Sequence, residues 1–126
     1  MKRSATSATG VNTTGNTAES VVATVPMPSL SENPLISGVI VDGVINLTPG
    51  TATTGMTIRV RRGSLTGALV GPAQQLTPTA GSPASHAFSA YDTAPVSGQP
   101  YVVTMQAAGA TAASTANYAV ATATAA

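Results

Sequence analysis

The sequence predicts an all-β fold, a two-sheet antiparallel sandwich, and three observations lead there. Apolar residues recur with period two in short runs, turn signals separate the runs every ten to fifteen residues, and no stretch carries the period of an amphipathic helix. The length of 126 residues fits one core, so the expected organisation is an N-terminal arm, residues 1–18, followed by a single sandwich domain, residues 19–126.

The arm is read from composition. Residues 1–18 are almost entirely Ser, Thr, Ala, Gly and Asn with a single Val, too little apolar area to fold alone, so a flexible extension that a neighbouring subunit orders is expected. From Glu19 the pattern changes. Val21, Ala23 and Val25 alternate with Val22 and Thr24, and Pro26 and Pro28 confine that strand's end to a sheet edge.

The most apolar stretch runs from Leu35 to Leu47, and Asp42-Gly43 lies inside it between β-branched residues. A two-residue hairpin turn is the favoured reading, because both of its central positions need positive φ. A bulge in one long strand that passes between the sheets is the alternative. The cleanest alternation follows, with Met56, Ile58 and Val60 on one face and Thr57, Arg59 and Arg61 on the other.

Beyond the Gly63–Gly67 turn, 68–70 and 73–77 read as two short pieces broken by Gly71-Pro72. Residues 85–91 alternate His86, Phe88 and Ala90 against Ala87, Ser89 and Tyr91. The runs 101–107 and 116–124 complete the set. Ala is a good helix former, but Thr, Ser and Gly interrupt the C-terminal segment too often for a helix.

Charge is scarce: five Lys and Arg stand against four Asp and Glu, and charged residues make up 7% of the chain. A self-sufficient soluble monomer usually carries about 25–35%. Ile, Leu, Val and Phe together are 24 residues, so the core is thin as well. Both features favour a domain that completes its burial against other subunits, as a homo-oligomer.

Catalytic chemistry lacks its groups. His86 is the one histidine, and no nucleophile elbow, metal-spaced carboxylate set or phosphate-binding glycine loop is present, so no enzyme activity, catalytic residue, metal or cofactor is expected. Cysteine is absent, which removes disulfides and thiolate sites. No apolar stretch of signal-peptide length follows Met1-Lys2-Arg3, so classical export is not expected, and no window reaches the roughly 18 apolar residues of a membrane span.

Arg59, Arg61 and Arg62 form the one charge cluster. It reads as a solvated strand face or as a set of partners for a neighbouring subunit's carboxylates; without a wider basic patch, nucleic-acid binding is not expected. Together with Val21, Val22 and Val25, these arginines are the candidate subunit-interface residues. Tyr101, at the start of its strand, reads either as a core aromatic with its hydroxyl at the rim or as a tyrosine corner bonded to backbone.

Four segments carry a family resemblance: Thr57-Ile58-Arg59-Val60-Arg61-Arg62-Gly63, Thr66-Gly67-Ala68-Leu69-Val70-Gly71, Phe88-Ser89-Ala90-Tyr91-Asp92-Thr93-Ala94-Pro95, and Gln99-Pro100-Tyr101-Val102-Val103-Thr104-Met105. Over residues 36–124 they resemble small virion proteins of tailed bacteriophages, although Ala94 interrupts that group's Asp-Thr-Pro loop. The resemblance implies a head decoration (cement) or minor capsid protein, often trimeric, with a jelly-roll or tumour-necrosis-factor-like sandwich at the capsid surface, bound to the major capsid protein or other virion subunits. An immunoglobulin-like strand order is the alternative fold. A receptor- or glycan-binding fibre tip and a self-polymerising extracellular filament subunit are the alternative functions.

Overall fold

A computed structural model of the chain describes residues 3–15, 18–27, 38–49, 55–77, 79, 81–107 and 114–125; for 3–15 it gives the backbone pairing. Eight strands and no helix occur among them: β1 (Arg3–Gly15), β2 (Ser20–Val25), β3 (Val39–Thr48), β4 (Met56–Arg62), β5 (Leu69–Leu76), β6 (Ala84–Asp92), β7 (Tyr101–Ala107) and β8 (Ser114–Ala125). They form two four-stranded antiparallel sheets, with orders β1-β8-β3-β6 and β2-β7-β4-β5.

This order decides between the expected folds. β1 pairs with β8, β2 with β7, β3 with β6 and β4 with β5, so the chain behaves as one long hairpin, four strands out and four back, rolled up on itself. Rolling brings β3 beside β8 and β4 beside β7, which completes a jelly roll.

The period-two pattern becomes the core. Met56, Ile58 and Val60 of β4 are buried against Val103 and Met105 of β7, and Val39, Val41, Ile45 and Leu47 line the inner side of β3. Each such aliphatic contributes about 1.5–3 kcal/mol by leaving water. From β8 comes a row of small side chains, Ala116, Ala119, Ala121, Ala123 and Ala125, all buried.

That row allows a close approach at Gly43. A Cβ there would collide with the Val120 carbonyl and stand 2.9 Å from the Phe88 ring. Gly43 therefore lies in mid-strand, without positive φ and in unbroken register with Phe88, and the expected Asp42-Gly43 hairpin is replaced by a single strand that stays in one sheet. The register break in β3 falls later, between Asn46 and Leu47, where β8 carries an extra residue.

Two further expectations change. The segment read as an arm contributes β1, which pairs with β8 from Arg3↔Thr124 to Gly15↔Ser114 with one irregularity between Thr9 and Thr13. Backbone hydrogen bonding asks for no apolar side chains, which is why composition did not reveal it. β5 runs through Gly71-Pro72 as one strand, because Gly71 adopts φ +66° and the register with β4 shifts between Ile58 and Val60. As Pro26 implied, β2 is an edge strand.

Candidate functional site

The arginine cluster divides between two places. β4 alternates, so Arg59 and Arg61 project from the outer face of its sheet, whereas Arg62 at the strand end turns toward the seam between the sheets.

At the seam, Asp92 ends β6 with a side chain only 2% exposed. The Arg62 guanidinium grips it with two bonds, Nε to Oδ2 at 3.1 Å and Nη2 to Oδ1 at 2.6 Å. The Tyr101 hydroxyl donates to Oδ2 at 2.7 Å, and the Ala94 N–H donates to Oδ1 at 3.0 Å. Burial pushes the Asp92 pKa up, but these donors and the adjacent positive charge outweigh it and hold the carboxyl below its ordinary value. Burial and the neighbouring carboxylate push the Tyr101 hydroxyl far up, and Asp92 raises Arg62 further.

The latch ties β6 of one sheet to β4 and β7 of the other. Gly63 N–H donates to Pro100 O at 2.7 Å beside it, fastening the two loops at this end. Tyr101 is a buried core aromatic, but its hydroxyl reaches a carboxylate and not the backbone of a tyrosine corner.

Outside the second sheet, Glu19 precedes β2 and accepts from Arg61 at 2.6 and 2.9 Å and from the Thr104 hydroxyl at 2.7 Å. Arg59 stands 3.5 Å away and also donates to Gln106, while Arg61 reaches the Gly67 carbonyl. The Arg61 bonds, reinforced by Thr104 and the two positive charges, overcome burial and lower the Glu19 pKa; Arg61 is raised in return.

The carboxylates that the sequence reading sought on a neighbour thus lie in the same chain. Val22 and Val25 turn into the core at 1% and 0% exposure and offer a partner no surface, because the register shift in β2 buries Val22 beside Ala23; Val21 remains partly accessible. Asp92, Glu19, Thr104 and Tyr101 were not singled out as a set by sequence. For Asp92 a signal existed: His86, Phe88 and Ala90 share its parity, so an inward β6 face ends on a carboxylate that needs a partner.

Among the described residues, no three His, Asp or Glu side chains come together as a metal-binding group. His86 is partly buried on the inner side of β6, and its Nε2 finds no hydrogen-bond partner among them.

The outer face of the first sheet is different in kind. Register aligns Ile40 with Tyr91 and Thr124, Val44 with Ala87 and Val120, and Asn46 with Ser85 and Tyr118. Ile40, Tyr91, Tyr118 and Val120 are exposed there. Asp42 is the one charged residue that β3, β6 and β8 turn outward. Tyr118 and Asn46 both bond Ser85 Oγ, at 3.2 and 3.0 Å, which holds one end of the face in place.

No protein-family model matches this chain, and no curated protein matches it. Solved structures do. A chain from a structure described as "Bacillus endospore appendages form a novel family of disulfide-linked pili" is 17% identical, with 99% of this chain and 90% of that one covered and a TM-score of 0.49. A chain from infectious bursal disease virus, Gx strain, is 10% identical with a TM-score of 0.55, covering 98% of this chain and 32% of that one. The chain therefore spans about a third of the viral chain it resembles. The likeness is one of fold.

Proposed function

We propose that this chain is a non-enzymatic structural subunit, a capsid decoration or minor capsid protein of a tailed-phage-like virion, which works through protein–protein contacts at the shell surface. The observation that carries the reading is the outer face of the first sheet, where Ile40, Tyr91, Tyr118 and Val120 stand exposed with only Asp42 as a charge from its β3, β6 and β8 strands. Clustered exposed apolar residues mark contact surfaces. The jelly roll shared with a chain from a virus structure and the resemblance of residues 36–124 support the same reading.

A homo-oligomer is in keeping with the thin core, and the resemblance of residues 36–124 favours a trimer. Of the residues expected at its boundary, Arg59, whose side chain is 23% exposed, and Val21 keep some accessible surface.

The test is the mass of purified full-length protein by size-exclusion chromatography with light scattering, beside an Ile40→Lys/Val120→Lys variant. An assembled wild type and a folded, dispersed variant support the reading. A monodisperse wild-type monomer at every concentration overturns it.

One feature favours a second reading, a glycan-binding tip. Tyr91 and Tyr118 are both exposed on this face, six β3 positions and about 20 Å apart along the strands, with Ser89, Asn46 and Asp42 between and beside them. Binding on a glycan array that is lost in Tyr118→Ala selects it; a silent array removes it.

A further inference from the structure

We infer that β1 is an exchangeable strand, which leaves its own sandwich and pairs with β8 of a second copy of this chain. This rests on the assembly reading and specifies the contact that makes it.

Three observations converge on β1. First, it occupies a sheet edge and hydrogen-bonds to one strand, β8, over ten register positions from Arg3↔Thr124 to Gly15↔Ser114. Pairing with an edge is what an extended segment from another chain can reproduce bond for bond, because the ladder does not depend on which copy supplies the strand. Second, the sequence of β1 holds only Ala5, Ala8 and Val11 as apolar residues, so the backbone ladder, which a second copy can reproduce, is the hold its composition points to.

The third observation sets the boundary. Glu19 lies four positions after Gly15 and is pinned to the sandwich by both oxygens, through Arg61, Arg59 and Thr104. β2, which follows Glu19, has its own ladder partner in β7 and does not depend on β1 for its pairing. The clamp therefore separates a body that stays folded from a strand that is free to be shared. The link between Gly15 and Glu19 is also short in sequence, and short hinges favour exchange.

Exchange of this kind is head to tail. Each copy donates β1 and offers a β8 edge, so copies join into a closed ring if the rotation between them closes, and into a filament if it does not. The absence of cysteine leaves such a junction non-covalent and makes a direct test simple.

Ser7 is in register with Val120, and Ala5 with Thr122. Full-length Ser7→Cys/Val120→Cys protein, oxidised after assembly, is expected to run on non-reducing gels as a ladder of covalent multimers that collapses on reduction. Ala5→Cys/Thr122→Cys repeats the measurement at a second register pair, in case the first variant folds poorly. Mixed single-cysteine proteins, Ser7→Cys with Val120→Cys, are expected to give a covalent heterodimer.

Crosslinks confined to single chains in both double variants, with no heterodimer in the mixture, overturn the inference. If the wild type still assembles in that case, the assembly reading stands and only the exchange fails. A wild type that never assembles removes both.

Discussion

Among the described residues, Asp92 is the one charged side chain that is buried. Its buried carboxylate accepts four hydrogen bonds, two of them from one guanidinium, and a buried ion pair that loses one partner costs about 3–5 kcal/mol because the other charge stays behind. Arg62 keeps some solvent contact, with its side chain 18% exposed, so the low end applies and Asp92→Ala is expected to lower unfolding stability by about 3 kcal/mol in urea titrations. Tyr101→Phe removes one hydrogen bond to a charged group and is expected to cost about 1.5 kcal/mol. The two effects share a partner, so the double variant should lose less than the sum; strict additivity would mean that the hydroxyl and the carboxylate do not cooperate.

At the scale of the strand, Gly43 separates two structures that one dipeptide allows. In a hairpin, Asp-Gly sits at the turn and Asn is welcome at the second position; in mid-strand, any Cβ at 43 meets the Val120 carbonyl and the Phe88 ring. Gly43→Asn is therefore expected to lose about 2–3 kcal/mol by overpacking, measured by chemical denaturation. A neutral result would restore the turn. The alternation of Met56, Ile58 and Val60, or of His86, Phe88 and Ala90, was legible because side-chain parity is a local property of a strand.

What Gly43 approaches was not legible, since Val120 lies 77 positions away and only the rolled topology brings it near. β1 failed to show for a related reason: its ladder uses backbone groups that every residue owns. The latch was half legible. Asp92-Thr93-Ala94-Pro95 reads as a turn and Arg62 as a charge, but their pairing crosses from one sheet to the other, and nothing in either segment names its partner.

The rolled hairpin gives the whole molecule its acid sensitivity. Each of its two carboxylate clamps joins segments far apart in sequence: Glu19 holds the start of β2 to β4 and β7, and Asp92 holds the two sheets together at one end. Both carboxyls have lowered pKa values when folded and ordinary ones, about 4, when unfolded. With the folded value below the unfolded one, the unfolded chain binds more protons, so stability rises with pH through this range. The contribution of both clamps is complete above the ordinary carboxylate range and is lost as pH falls through the folded values. The urea midpoint is thus expected to stay level from about pH 8 to about pH 5 and to drop below about pH 4. In Glu19→Gln/Asp92→Asn protein it should start lower and fall much less over the same interval. An acid limb as steep in the double variant as in the wild type would move the proton uptake away from both clamps, and would leave them with no part in holding the rolled sheets together.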